Sequence, residues 1–134
     1  MTTPQKRKGD AYERELAKYL NDNVYKEERC FRAPLSGGGK HNLHHGGADL
    51  TGTTDLFVEA KRTERLNIRD ALRQSVRNKT ESSSPELPVV ITRRNGEKTG
   101  ESIVAMHLDD FLVFYESYLR EQGKLDVTQF ETMP

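Results

Sequence analysis

The stretch ADLTGTTDLFVEAKR, residues 48–62, decides how this chain folds. It reads as a short hairpin that turns in TGTT, and its second strand holds Leu56, Phe57, Val58 and Ala60. Into that apolar run are set Glu59 and Lys61, two residues apart. Residues two apart in a strand point to the same face. Asp55, Phe57, Glu59 and Lys61 therefore share one face, and Leu56, Val58 and Ala60 share the other. A carboxylate beside an ammonium, with a second carboxylate at hand, suits a divalent cation and an activated water. Mg2+ takes oxygen ligands, commonly one or two carboxylates plus substrate phosphate, and an ammonium orients the water or stabilises charge on the phosphate.

Two aspartates compete for this role. Asp55 lies four residues from Glu59, about 13 Å along a strand and too far to share one ion. Asp49 lies on the preceding strand and returns close to Glu59 across the hairpin, where facing Cβ atoms stand about 5 Å apart. Parity sets a condition: Asp49 faces the same way as Glu59 only if the loop has an odd residue count or the pair contains a bulge, a feature frequent beside active sites. The plain alternative is an edge hairpin carrying a surface Glu-Lys pair, which contributes little.

Working outward, Asp10 with Glu13 forms a capping-box pattern that predicts a first helix over residues 10–21, preceded by a basic tail with Lys6, Arg7 and Lys8. Tyr12, Leu16, Tyr19 and Leu20 make its apolar face. ERCFRAPL reads as a strand stopped by Pro34, and SGGGKHNLHHGG, residues 36–47, as a loop. A second helix is predicted over residues 67–78, with Ile68, Ala71, Leu72, Ser75 and Val76 inward and Arg69, Arg73 and Arg77 along one exposed ridge. Residues 80–88 read as a flexible link, and two strands follow in VVITRRNGEKTGESIVAMHL. A last helix carries Phe111, Leu112, Tyr115, Tyr118 and Leu119 and ends at Gly123. The order predicts one α/β or α+β domain with a mixed sheet, and residues 125–134 as a flexible tail.

With 134 residues, 34% hydrophobic and 31% charged, the composition suits a single polar globule. No apolar run is long enough to span a bilayer, and the first ten residues lack a signal-peptide core, so the chain is expected to work in the cytoplasm. The lone Cys30 has no disulfide partner within the chain. The net charge of zero conceals an asymmetry. Residues 1–79 hold 16 Lys and Arg against 11 Asp and Glu, a net +5, and residues 80–134 hold 5 against 10, a net −5. The basic half is either an electrostatic footprint for phosphate or a chance imbalance on a solvated surface, and the ridge of Arg69, Arg73 and Arg77 either follows a duplex backbone or is an ordinary solvated face. His41, His44 and His45, with His107, match no standard zinc spacing and read as a loop near DNA.

Asp49 followed by Glu59-x-Lys61 on a hairpin resembles the PD-(D/E)xK nuclease superfamily. More closely, RKGDAYERELAKYL, then FRAPLSGGG, then ADL, then VEAK resembles the archaeal-type Holliday-junction resolvases and their phage relatives, over residues 7–62. That resemblance implies a restriction-endonuclease-like core, with a mixed central β-sheet flanked by helices. It implies Mg2+-dependent hydrolysis of four-way DNA junctions that leaves 5′-phosphate ends, with Mn2+ able to substitute. Carried onto this chain, it makes Glu13, Asp49, Glu59 and Lys61 catalytic, with Asp49, Glu59, Glu13 and the Ala60 carbonyl as metal ligands. Glu15 is the second choice for the helix glutamate. Arg14, Arg32 and Ser36 would contact the DNA backbone or support the site, and the basic residues Lys6, Arg7, Lys8, Lys40, Arg62, Arg69, Arg73 and Arg77 extend the DNA surface. The resemblance also implies a homodimer, since symmetric cutting needs two sites, and Phe111, Phe114, Tyr115 and Tyr118 are candidates for its interface, although at least half of them are expected to pack in the chain's own core. Ala48 stands where the family commonly has proline, and the Gly/His loop is longer than the family's. A repair or restriction-type nuclease on the same fold, acting on ordinary duplex, and a DNA-binding recombination accessory module with a vestigial triad are the alternatives.

Overall fold

The computed structural model describes residues 3–34 and 47–125. In chain order its elements are α1 (Pro4–Leu20), β1 (Phe31–Arg32), β2 (Leu50–Thr51), β3 (Leu56–Lys61), α2 (Ile68–Glu81), β4 (Leu87–Thr92), β5 (Ile103–Ala105) and α3 (Leu108–Glu121). This is a mixed α/β fold. β3 and β4 run parallel, joined through the crossover helix α2, and β5 adds antiparallel to β4. Val58, Ala60, Val89 and Ile91 line one face of this sheet and pack on Tyr12, Leu16 and Ala17 of α1. On the other face Val90 packs on Ala71 and Leu72 of α2. A parallel strand covered on both sides is ordinarily apolar throughout, so the buried Glu59 in its middle is the anomaly. No helix among the described residues is long and apolar enough to cross a membrane.

Four expectations are corrected. First, α1 begins six residues before Asp10. Thr3 caps it by accepting the Lys6 N–H at 3.1 Å, with Pro4 at the first helical position, so Lys6, Arg7 and Lys8 stand on the helix and not on a tail. Asp10, freed from capping, pairs with Lys6 and Arg32. Thr3→Ala is expected to destabilise the protein by about 1 kcal/mol, read as a lower urea midpoint; a helix beginning at Asp10 would be indifferent to it.

Second, β2 does not ladder with β3 as a regular hairpin but pairs antiparallel with β1. The chain turns tightly between β2 and β3. Gly52 has φ of +80° and stands so close to the backbone that an added Cβ would fall 2.1 Å from the Arg29 carbonyl oxygen. Asp55 has φ of +68° and lies outside β3, exposed.

Third, residues 80–81 continue α2 and residues 87–88 belong to β4. The connection between them is held by hydrogen bonds: the Ser82 hydroxyl donates to the Asn78 carbonyl at 2.9 Å, and Ser84 Oγ accepts the Glu86 N–H at 3.1 Å. Fourth, α3 contributes nothing to the core. None of its side chains is buried, and Phe111, Leu112, Tyr115 and Tyr118 are exposed.

Candidate active site

Asp49 is fixed through its backbone on both sides. Its N–H donates to the Val58 carbonyl at 2.8 Å, and its carbonyl accepts the Ala33 N–H at 2.8 Å. The segment thus bridges the end of β1 to β3. Its side chain then curls toward β3, where Oδ2 accepts the Ala60 N–H at 2.8 Å. Neither an odd loop nor a bulge in a regular ladder brings Asp49 round; the carboxylate takes up a strand N–H and so faces Glu59.

Glu59 is 3% exposed. Strand alternation turns it toward α2, where Asn78 Nδ2 donates to its Oε1 at 2.9 Å. Two residues on, Lys61 Nζ donates to Gln74 Oε1 at 3.1 Å. Gln74 and Asn78 were missed by sequence reasoning, and a signal for them exists. Four helical residues rise about 6 Å and two strand residues about 6.6 Å, so amides at i and i+4 on the sheet-facing side of α2 meet the two chemical groups of Glu-x-Lys in register.

Glu13 enters from α1 and is 5% exposed. Arg32 holds it: Nε donates to Glu13 Oε1 at 2.9 Å while the same guanidinium reaches Asp10 Oδ1 at 2.8 Å. Burial above all, with the Asp49 charge added, pushes the Glu13 carboxyl up to about 7 against the opposing pull of Arg32. Asp49 is likewise pushed up to about 7, first by burial and then by the Glu59 carboxylate facing it, with the Ala60 N–H and Lys61 acting the other way. Asp49 is therefore the shared neighbour of Glu13 and Glu59 in an acidic cluster, and Lys61 acts on the same aspartate. Glu15 is elsewhere, chelated by Arg93 at 2.7 and 2.8 Å and by the Thr99 hydroxyl at 2.7 Å, an arrangement that ties α1 to the β4–β5 connection.

From Lys61 an open groove of about 670 Å3 runs along α2, lined by Arg65, Arg73 and Arg77 with Thr63, Asn67 and Gln74. Arg65 is a further residue the sequence reading left out. Arg69 is exposed on α2 but does not line the groove. Arg62 points away from it, hydrogen-bonding the Arg93 carbonyl and the Asn95 side chain. Lys6, Arg7, Lys8 and Arg14 are exposed on α1. Ser36, Lys40, His41, His44 and His45 lie outside the described residues, and His107 is the exposed cap residue of α3.

Among the described residues no group of three His, Cys, Asp or Glu side chains is arranged to hold a metal ion by itself. The donor set nevertheless fits Mg2+, which needs only one or two protein carboxylates when substrate phosphate supplies the rest. Asp49 and Glu59 face each other under burial, and their mutual repulsion is what a divalent cation relieves. Glu13 has its counter-ion already in Arg32, which makes it the weaker candidate for direct ligation. Comparison with protein-family models, with curated proteins and with solved structures finds no match to this chain.

Proposed function

We propose that this chain is a Mg2+-dependent DNA endonuclease with a restriction-endonuclease-like core, selective for four-way junctions. One observation carries the nuclease reading. Two buried carboxylates, Asp49 and Glu59, face each other beside an ammonium, Lys61, at the mouth of a groove lined by arginines. The junction selectivity rests on the resemblance of residues 7–62 to the resolvases.

Asp49, Glu59 and the Ala60 carbonyl would hold the ion, which when bound supplies Lewis-acid polarisation of a phosphodiester and a more acidic water. Asn78 orients Glu59, and Ala60 N–H orients Asp49, so neither carboxylate has to reorganise. Lys61, held by Gln74, positions the attacking water and stabilises the charge that develops on phosphorus-bound oxygen. Arg65, Arg73 and Arg77 bind flanking phosphates, contacts that place the duplex without reading its sequence. The P–O3′ bond breaks, leaving a 5′-phosphate and a 3′-hydroxyl.

The test is cleavage of a labelled four-way junction and a linear duplex of equal length, in Mg2+, Mn2+ and EDTA. Paired nicks in the junction alone, absent in EDTA, are the expected result. Equal cutting of both substrates would keep the nuclease and remove the junction selectivity. Junction binding without cutting in either metal would overturn the enzyme reading in favour of a binding module.

A further inference from the structure

We propose that a small pocket at the end of the sheet, beside Lys61, takes one unpaired nucleobase of the bound strand, so that the preferred substrates are DNAs with an unpaired nucleotide next to the scissile phosphate. The proposal deepens the nuclease reading and rests on it for the strand that delivers the base.

The pocket is built where the strands end. Lys61, Thr92 and Ile103 stand side by side in register across β3, β4 and β5. Alternation along β4 puts Thr92 on the same face as Val90, the face that α2 covers. There Leu66, Ile68 and Ile103 wall a cavity of about 210 Å3, together with Thr63, Thr92 and Glu97. Thr63 and Leu66 also line the arginine groove that starts at Lys61, so groove and pocket adjoin.

Size and chemistry select the occupant. Sites that take whole drug-sized ligands measure about 300–1,000 Å3, and a smaller cavity beside a phosphate-binding groove has room for one flat ring system. Bases taken out of the stack are held between apolar side chains and read along their hydrogen-bonding edges. Ile68 and Ile103, 37% and 53% exposed, offer the apolar walls. Thr92 is 7% exposed, and its hydroxyl enters no side-chain hydrogen bond among the described residues, which leaves it for the edge of a base. Glu97 Oε1 accepts the Arg94 N–H at 2.6 Å, and its second oxygen can accept from an exocyclic amino group. Arg93 is already held by Glu15.

The walls stand ready before a ligand arrives. Glu64 accepts the Asn95 N–H at 2.9 Å and Arg62 donates to the Asn95 side chain, so the segment after β3 is tied to the β4–β5 connection. Preorganisation of this kind lowers the ordering cost of binding. Thr92 lies one strand spacing, about 4.8 Å, from Lys61. A nucleotide whose phosphate reaches Lys61 can enter the pocket with its base only when that base has left the stack, which costs least where the base has no partner.

Amide shifts of the isotope-labelled full chain, followed by NMR during titration with dCMP, test the pocket by itself. Shifts are expected at Thr63, Thr92, Glu97 and Ile103, and none with deoxyribose phosphate, which lacks a base. Affinity is then measured in EDTA for a duplex with a one-nucleotide bulge and for the same duplex with an abasic bulge. The base is expected to tighten binding about 5- to 100-fold. Ile103→Ala and Ile68→Ala, at positions that belong to neither core cluster, are each expected to narrow that ratio with the circular dichroism spectrum retained. Equal affinity for the two bulges, or dCMP shifts that the sugar phosphate reproduces, overturns the proposal. Shifts at the pocket from dCMP without any binding of DNA keep the base site and overturn the nuclease reading. Metal-dependent cutting with equal affinity for the two bulges does the reverse.

Discussion

Glu59→Gln is expected to lower the single-turnover rate of DNA cleavage at saturating Mg2+ by about 10^3- to 10^4-fold, and to make the protein more stable in EDTA. Both effects come from the same charge. Glutamine has the volume of glutamate, and its side-chain oxygen can accept the Asn78 Nδ2 bond that Glu59 accepts now. The packing around this buried position is therefore retained. What goes is one of two carboxylates that confront each other under burial. On the proposed function that carboxylate would hold the ion, and its loss would remove several kcal/mol of charge stabilisation at the phosphate. In the metal-free protein it is a repulsive neighbour of Asp49, and its loss lets the Asp49 carboxyl fall back toward the ordinary aspartate range. Affinity for DNA, which the proposed function assigns to the arginines of the groove, should change by less than about tenfold. Full activity in the variant would place the chemistry elsewhere. A loss of stability in EDTA would mean that the Glu59 charge is compensated in the native state by a partner other than Asn78.

The site was legible in the sequence because its anomaly is chemical. A charged residue in the middle of an apolar strand stands out whatever the neighbouring elements do, and Glu59 with Lys61 did. The choice of Asp49 over Asp55 followed from distance along an extended chain, and the structure sets Asp55 on an exposed turn with positive φ. The geometry that brings Asp49 to Glu59 was not legible. It depends on a side chain accepting a strand N–H in place of a ladder bond, and no periodicity encodes that. The start of α1 was misread because a basic run ending in Gly9 resembles a tail, while Thr3-Pro4, the better cap and first-turn signal, precedes it. The second helix was easier: Asn67 caps it, accepting the Asp70 N–H at 3.1 Å, and its apolar spacing is unambiguous. For α3 the periodicity found the helix and its apolar side. A stripe of that kind does not reveal whether its own core or another molecule covers it.

The second large effect is in the pH dependence of stability. In metal-free buffer, the free energy of unfolding is expected to fall as pH rises from about 5 to about 8, by an amount of order 3 kcal/mol. Most globular proteins change less across that range. The sign follows from Glu13. Unfolded, it releases its proton near 4.5; folded, burial and the Asp49 charge hold the proton up to about 7. Between those values the native state binds a proton that the unfolded state has lost, so raising the pH favours unfolding. Asp49, also pushed up to about 7, adds to the same slope in the same direction. Mg2+ opposes the trend, because it binds the ionised native cluster: at a hundred times its dissociation constant it returns about 2.7 kcal/mol. Urea unfolding at several pH values, in EDTA and then in Mg2+, reads both terms. Glu13→Gln should flatten the EDTA curve and leave the Mg2+ increment largely in place, because Arg32 already gives Glu13 a cationic partner. Asp49→Asn should flatten the curve and abolish the increment together. A metal-free stability that rises with pH would mean that the acidic cluster is neutralised within the native fold, and that it has no need of a cation.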